Sequence, residues 1–124
     1  RGNAMTRQIP RPLAERLNDD RHESRLAVPA GDVDRAWALL EEAHVLSQPW
    51  AGPHVGVHID MLRLAWRTRD RAEIVGQILR TLVAGPGSLT GRYPEGNTGR
   101  ASVPATQPMR VPDELRHLLE LRHG

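Results

Sequence analysis

The sequence predicts an all-α fold in which four main helices form two tandem helical hairpins. Two observations carry this prediction. Apolar residues recur three and four positions apart over most of the first two thirds of the chain, which is the spacing of a buried helical face. The chain also matches itself at an offset of 38 residues, since Arg25-Leu26-Ala27 aligns with Arg63-Leu64-Ala65 and Asp32 aligns with Asp70.

The first hairpin unit resembles the second half of a tetratricopeptide repeat. Between Gly31 and Ala43, small and large apolar residues alternate on the expected packing face, with Ala36 and Leu40 among them. The second unit departs from this pattern, because Thr81 stands where a small alanine is expected. The spacing also exceeds the usual tetratricopeptide repeat of about 34 residues. We therefore predict tetratricopeptide-like hairpins rather than a true repeat array.

Start and stop signals place the four helices along the chain. Pro12 suits the first turn of a helix, and Pro29 with Gly31 ends that helix. Asp32 is expected to cap the second helix. The fourth helix is expected to close at Ala84, because glycine and proline follow it. The predicted helices cover about residues 12–28, 32–48, 54–67 and 71–84.

The C-terminal third is expected to form an arm rather than a further hairpin. Residues 85–112 are rich in proline and glycine and show little periodicity, which predicts an irregular segment. Pro112 then opens a short final helix with Leu115, Leu118 and Leu119 on its apolar side. Because two hairpins fall short of the usual three repeats, the arm is expected to be extended, to pack on the helices and to cap them.

The length of 124 residues fits one domain with its own core. Residues 1–4 precede Met5 and are interpreted as an expression scar, which leaves residues 5–124 as a single helical domain. No apolar run approaches the roughly 20 residues of a membrane span, and no signal peptide is visible. We therefore expect a cytoplasmic protein with no membrane partner.

All 17 basic residues are arginine, against 15 acidic residues, which gives a formal net charge of +2. The absence of lysine and phenylalanine is what a GC-rich genome produces by codon preference. Arginine also matches phosphate oxygens, but acidic residues accompany the arginines almost everywhere, as in Asp19-Asp20-Arg21. This mixed charge disfavours nucleic acid as a partner.

The absence of cysteine excludes a disulfide scaffold, a thiolate zinc site, an iron–sulfur cluster and a cysteine nucleophile. Any metal site must therefore use histidine and carboxylate, and one region offers both at helical spacing. There a Glu-x-x-His pattern on the second helix faces a His-x-x-x-His pattern on the third, across a short loop. Such ligands suit zinc, iron, copper or nickel. The residues predicted to hold a divalent transition metal are Glu41, His44, His54 and His58.

Other residues near this region are expected to orient the ligands or to line a pocket. Asp60 follows His58 closely and is a candidate acceptor for the hydrogen bond of a ligand imidazole. The full set of such residues is Asp60, Gln48, Gln77, Trp37 and Trp50. His22, which aligns with Asp60 at the 38-residue offset, is a candidate outer member, whereas His117 and His123 lie on the predicted tail.

The two histidines of the third helix, and a glycine-rich loop later in the chain, also have purely structural explanations. His54 could face solvent beside its neighbouring prolines, and His58 could be a core histidine bonded to a carbonyl. The Gly-Asn-Thr-Gly sequence at 96–99 predicts a tight turn, since asparagine and glycine tolerate positive φ. An anion nest aided by Arg92 or Arg100 is the functional alternative for that loop.

Five segments carry a resemblance to a known family: residues 40–48, 54–62, 76–80, 96–99 and 108–112. In order and spacing they resemble a small bacterial family, domain of unknown function 3703, over about residues 12–119. The resemblance implies a compact bacterial domain that shares the Glu-x-x-His and His-x-x-x-His elements. It departs from the family at Ser47 and Arg100, where glycine is usual.

Three functions are compatible with the sequence. The first is a metal-binding protein, which could be a metal-dependent enzyme with hydrolytic or non-haem oxygen chemistry if a coordination position is open. The second is a tetratricopeptide-like interaction module without catalytic activity, whose groove holds a protein partner. The third is a small-molecule pocket between the second and third helices, lined by Trp37, Trp50, His58 and Gln77. The distances among the side-chain nitrogens of the three histidines distinguish these alternatives.

Overall fold

Five α-helices contain most of the residues that the computed structural model describes, which are 8–91, 93–101, 103 and 107–123. In chain order the helices are α1 (Arg11–Ala27), α2 (Val33–Ser47), α3 (Ala51–Arg67), α4 (Arg71–Thr90) and α5 (Asp113–Glu120), followed by a 3₁₀ turn at Leu121–His123. This described part of the chain contains no strand, so the prediction of an all-α fold is confirmed. The expression scar assigned to residues 1–4 lies outside the described residues.

The 38-residue repeat is visible in the caps of α2 and α4. The Asp32 carboxylate accepts a hydrogen bond from the Arg35 amide at 3.0 Å, and Asp70 accepts one from the Glu73 amide at 3.1 Å. Each aspartate therefore satisfies a backbone donor that the first turn of a helix leaves without a partner. The prediction that Asp32 caps the second helix is confirmed.

The two turns before these caps also have the same geometry. Gly31 and Arg69 both adopt positive φ, at 80° and 56°. The amide after each of them donates to the carbonyl of Ala27 or Ala65, at 3.0 Å in both turns. This is the Schellman pattern that ends many helices, and it reverses the chain at the same point in both hairpins.

The structure corrects the predicted start of the third helix. The helix begins at Ala51 rather than at His54, so Pro53 lies within its first turn. A proline is tolerated there because the first amides of a helix have no intrahelical acceptor.

The predicted end of the fourth helix was wrong, because α4 continues through Pro86 to Thr90. The irregular segment predicted from residue 85 therefore begins only at Gly91, which has φ of 73°. Tertiary contact holds the extra turn in place: the Ser88 hydroxyl donates to the Gln48 carbonyl at 2.5 Å. Pro86 removes one helical hydrogen bond, but the free energy lost with this bond is smaller than the free energy gained from the packing of the extra turn.

Two apolar clusters form the core. The larger one joins α1, α2 and α3, with Trp37 and Met61 among its buried members. The smaller one contains Trp50 and attaches α5 through Leu115 and Leu119. The final helix thus packs on the others by the apolar side predicted for it. In the described part of the chain, no helix has the length and apolar character needed to cross a membrane.

Candidate metal centre

Three buried histidines on neighbouring helices converge on one point. His44 lies near the end of α2, and His54 and His58 lie one turn apart on α3. The Nε2 atom of His44 is 3.0 Å from His58 Nε2 and 3.1 Å from His54 Nε2. One ring nitrogen from each residue lies within 4.8 Å of the others, and each side chain is at most 5% exposed. The structure therefore brings together three of the four predicted ligands.

The other nitrogen of His58 is fixed by Gln77 on α4. The Gln77 amide group donates to the Glu73 carboxylate at 3.0 Å and to the Gly99 carbonyl at 2.7 Å. Because both acceptors require the amide NH₂, the Gln77 oxygen must face His58. His58 Nδ1–H therefore donates to Gln77 Oε1, at 2.7 Å.

The same reasoning fixes the tautomer of His54. The Ser88 hydroxyl uses its single proton for the Gln48 carbonyl, so its oxygen is an acceptor toward other groups. His54 Nδ1 lies 2.7 Å from that oxygen and must donate to it. Ser88 belongs to the turn of α4 that follows Pro86, so the unexpected continuation of this helix supplies a partner of the site.

His44 is fixed by the loop at 96–99. Its Nδ1 lies 2.5 Å from the Asn97 carbonyl oxygen, which can only accept, so Nδ1 carries the proton. The Asn97 side chain shapes this loop, because its Oδ1 accepts from the Gly99 amide at 2.8 Å and its Nδ2 donates to the Gln107 carbonyl at 2.7 Å. Gly99 then packs against the imidazole: a Cβ atom there would lie 2.6 Å from His44 Cδ2.

All three imidazoles consequently present an unprotonated Nε2 to the same point. With every Nδ1 proton already donated outward, the close Nε2 pairs share no proton, and their lone pairs face one another. For metal–nitrogen bonds of about 2.0 to 2.1 Å, ligand nitrogens lie about 2.9 Å apart at a 90° angle and about 3.3 Å apart at a tetrahedral angle. The separations of His44 Nε2 from the other two Nε2 atoms, 3.0 and 3.1 Å, lie within this range, and the ligand nitrogens of His54 and His58 lie within 4.8 Å of each other.

Burial keeps the three histidines neutral. It lowers the pKa of His44 well below the usual 6.5, and the two neighbouring histidines add to this effect. Burial, with a further contribution from His58, lowers the pKa of His54 to about 3. Burial also lowers the pKa of His58, although its hydrogen bond to Gln77 acts in the opposite direction. Neutral imidazole is the form that binds metal ions.

A cleft of about 390 Å³ opens beside the histidines. The three imidazoles and Gln48 form one side of it. Arg80 and Val83 from α4 and Tyr93 from the following segment lie on the others. A ligand or water molecule could therefore reach a metal held by the histidines.

Glu41, the fourth predicted ligand, does not belong to the converging group. It lies instead near Arg100 and Glu73, and burial raises the pKa of its carboxyl group. Residues three apart on a helix differ by about 60° in direction, because each residue turns the helix by about 100°. This difference directs Glu41 away from the point that His44 faces.

Asp60, predicted to orient a ligand histidine, pairs with an arginine in the structure. Its carboxylate accepts a hydrogen bond from Arg21 on α1 at 2.6 Å. Residues two apart on a helix do not share a face, so Asp60 and His58 point to different sides of α3. His22, the candidate outer member, lies beside Arg21 at a separate depression on α1 rather than at the histidines.

The remaining predicted pocket residues lie in different places. Gln77 contacts His58 directly, whereas Gln48 holds the loop beyond the site by donating to the Pro94 carbonyl at 2.9 Å. Trp37 and Trp50 belong to the two separate core clusters. The proposed pocket between the second and third helices is therefore replaced by a cleft between α3 and α4, to which neither tryptophan contributes.

The loop at 96–99, for which an anion nest was the functional alternative to a tight turn, contacts a histidine instead. Arg100 donates to the buried Glu73 carboxylate at 2.6 Å and its guanidinium lies 3.9 Å from the centre of the Trp37 ring. Its charge is thus already paired, and the loop instead supplies the acceptor for His44. Arg92, the other arginine considered for the nest, lies outside the described residues.

Sequence reasoning missed Ser88, Glu73 and Arg80. Ser88 follows a proline that was expected to end its helix. The Gly-Asn-Thr-Gly sequence was the one available signal for the Asn97 contact, because such a loop can approach another residue closely.

Comparison with known proteins identifies a family. The model of a family described as protein of unknown function, DUF3703, matches residues 12–119. No curated protein and no solved structure matches the chain. Because the family match covers nearly the whole chain, as the five sequence segments predicted, the protein belongs to the DUF3703 family.

Proposed function

We propose that this protein binds one divalent transition metal through the Nε2 atoms of His44, His54 and His58. The observation that carries the proposal is the set of outward hydrogen bonds, one from each Nδ1, which leaves three lone pairs directed at one point. Metal-binding histidines are characteristically held in this way, with the second ring nitrogen donating to a carbonyl, a carboxylate or another acceptor.

The ligand set favours zinc, and it also accommodates copper or iron. Three imidazole nitrogens without thiolate match the chemistry that all three metals accept. With Glu41 outside the converging group, no carboxylate of the described residues joins the histidines in the set of two histidines and one carboxylate typical of non-haem iron oxygenases. We therefore favour zinc over iron.

A metal with three protein ligands would keep a coordination position open toward the cleft. Three histidines and one water is the arrangement by which zinc lowers the pKa of bound water to about 7 and generates hydroxide. We therefore propose hydrolytic or other water-activating chemistry in preference to oxygen chemistry. The protein would supply three neutral ligands, fixed tautomers and a partly enclosed cleft.

The test is metal binding by protein purified without a histidine tag, stripped with chelator and dialysed against zinc. We expect one zinc per chain, and we expect His44→Ala, His54→Ala and His58→Ala to lose at least tenfold in affinity each. His117→Ala is the matched control, since His117 lies exposed on α5. Wild-type protein without stoichiometric metal, or histidine variants that bind as well as the control, would contradict the proposal.

An interaction module is the second candidate, favoured by one specific observation. Helix α4 leaves large apolar side chains uncovered, including Val75, Leu79 and Leu82, which are 59%, 61% and 72% exposed. Apolar patches of this kind commonly mark protein contacts. In this alternative, the two units with matching turns act as tetratricopeptide-like hairpins that present α4 to a protein partner.

The second candidate is tested by cross-linking in a bacterial lysate, with wild-type protein compared with a Leu79→Asp/Leu82→Asp variant. One identified protein, captured by the wild type and lost with the variant, would support it. Capture that is unchanged by the two substitutions would count against α4 as the contact surface. Because neither leucine touches the histidines, metal binding by the variant serves as the folding control.

A further inference from the structure

The cleft beside the histidines carries positive charge that no lining carboxylate offsets. Among its described lining residues, Arg80 is the charged side chain, and none is aspartate or glutamate. A divalent metal on the three neutral histidines would add two more positive charges. Opposite charge must then come from the solvent or from a bound ligand.

Arg80 differs from the other partly buried arginines in its partners. Arg16 and Arg21 each donate to a carboxylate, at 2.7 and 2.6 Å. Arg80 donates instead to the backbone carbonyls of Arg100 and Val103, and among the described residues no carboxylate pairs with it. These carbonyls hold the guanidinium in place, and the carboxylate whose charge acts on Arg80, that of Glu73, is itself paired with Arg100 at 2.6 Å. A partly buried charge that shares its counter-charge in this way is costly.

The rest of the cleft lining is part apolar and part polar. Its apolar walls are formed by Val83, Ala84, Pro86 and Pro94, beside polar groups of Gln48, Thr90, Tyr93 and Asn97. Its volume of about 390 Å³ is within the range of small-molecule sites. A simple inorganic anion would leave these walls in contact with water. The walls suit a ligand that carries a small apolar body beside its charged group.

We propose that this cleft binds a small organic oxyanion, with its charged group between the metal and the Arg80 guanidinium and its apolar body against Val83 and Pro94. The inference rests on the proposed metal site. Each terminal nitrogen of Arg80 donates one N–H to a backbone carbonyl and retains a second N–H. Such guanidinium N–H groups match the oxygens of carboxylate and phosphate. Both groups share this chemistry, so the experiment must distinguish them.

The experiment uses protein loaded with Co²⁺, whose visible absorption reports on the metal's ligands, and three probes with the same ring: benzoate, phenyl phosphate and benzamide. We expect at least one of the two anions to change the cobalt spectrum and to bind at least tenfold more tightly than neutral benzamide. The stronger of the two anions identifies the carboxylate or the phosphate group as preferred. Equal binding of all three probes, or none, would overturn the inference.

The variant Arg80→Gln tests the role of the guanidinium. We expect its affinity for the preferred anion to fall at least tenfold, with unchanged cobalt stoichiometry and unchanged benzamide affinity. Arg63→Gln, on the exposed side of α3, is the matched control. An Arg80→Gln protein that binds the anion as the wild type does would contradict the assignment.

Two further controls keep the outcomes distinct. Arg80 also holds the segment at residues 100–103, so the unfolding transition of Arg80→Gln is measured alongside. If that variant does not fold, the three probes on the wild type decide the question. A wild type that takes up no cobalt refutes the metal site itself, whereas a cobalt-loaded protein indifferent to oxyanions refutes only this inference.

Discussion

The partner of each imidazole Nδ1 decides what the opposite nitrogen can do. For His58 that partner is Gln77, whose own amide is oriented by the buried Glu73 and by a backbone carbonyl. The chain of hydrogen bonds from His58 through Gln77 to Glu73 therefore connects a neutral imidazole to a buried carboxylate. In the proposed metal site, this connection would raise the basicity of His58 without placing a negative charge beside the metal.

Replacing Gln77 by leucine removes this support while leaving all three ligands in the chain. We expect Gln77→Leu to bind zinc about 10- to 100-fold more weakly at unchanged stoichiometry, because His58 can then rotate or change tautomer. Calorimetric titration with zinc measures the affinity. An affinity equal to that of the wild type would show that Gln77 does not position the ligand.

Asp20 on α1 provides a separate test at the residue scale. Burial, with a hydrogen bond to Glu42, raises the pKa of Asp20 from 3.8 to about 8. Glu42 in turn accepts two hydrogen bonds from Arg16, at 2.9 and 2.7 Å. The folded protein therefore holds a proton on Asp20 that the unfolded chain releases above its ordinary pKa.

It follows that Asp20 stabilises the fold most at low pH and that this stabilisation is lost as pH rises from about 4 to 8. Asp20→Asn has no such proton. From pH 5 to 8 the wild type should lose unfolding free energy relative to this variant, by at most about 1.4 kcal/mol per pH unit. Urea unfolding at several pH values measures the difference, with Asp19→Asn on the exposed side of α1 as control. Parallel pH profiles of wild type and Asp20→Asn would contradict this account.

At the scale of elements, the site depends on how closely the loop at 96–99 approaches α2. Gly99 has φ of +83°, and a methyl group there would collide with the His44 ring. Gly99→Ala should therefore lower the unfolding free energy by about 1 to 3 kcal/mol and weaken zinc binding. The cost combines strained backbone with displacement of a ligand.

A matched glycine separates these two effects. Gly91 also has positive φ, at +73°, but a Cβ atom there would meet nothing within 4 Å. Gly91→Ala should cost the conformational energy of about 1 kcal/mol and leave zinc affinity unchanged. Denaturant unfolding and zinc titration of both variants check this. Equal zinc affinity in the two variants would show that the Gly99 contact does not position His44.

Local sequence signals predicted the helix ends correctly where residues close in sequence determine them. Asp32 caps α2 as expected, and the repeated turn explains why Asp70 does the same for α4. The signals failed at Pro86, because the lost hydrogen bond there is a local cost while the packing of Ser88 on α2 is a long-range gain. Helix ends of this kind cannot be read from neighbouring residues alone.

The candidate site was likewise predictable where helical spacing decides which residues lie together, and not where distant segments meet. Spacing four apart on one helix identified His54 and His58, and spacing on the adjacent helix identified His44. Glu41 could not be assigned correctly, because the three-residue spacing leaves a 60° difference in direction. Asn97 and Ser88 could not be found from periodicity, since they reach the histidines only through the folding of segments 53 and 34 residues away.

At the scale of the whole molecule, the three histidines lie where four segments meet. The three histidines come from α2 and α3, and their hydrogen-bond partners come from α4 and the loop at 96–99. The interior of this junction is polar and holds mutually repelling lone pairs in the metal-free protein. A metal ion would therefore stabilise the contacts among all four segments together.

Zinc should accordingly raise the melting temperature. At a free zinc concentration 100 times the dissociation constant, linkage adds about 2.7 kcal/mol to the unfolding free energy. For a domain of this size, that corresponds to an increase of several degrees. Thermal unfolding with zinc and with chelator measures the shift, and the His44→Ala/His54→Ala/His58→Ala variant should show none. A similar shift in that variant would place the bound zinc elsewhere.

The most direct test of the central claim is long-range ¹H–¹⁵N NMR of the histidine side chains, recorded with and without one equivalent of zinc. The metal-free protein should show His44, His54 and His58 protonated at Nδ1. Zinc should shift the three Nε2 resonances and leave the Nδ1 protons in place, with His22 and His117 unchanged. Nε2-protonated tautomers, or zinc-induced shifts at other histidines instead, would contradict the account.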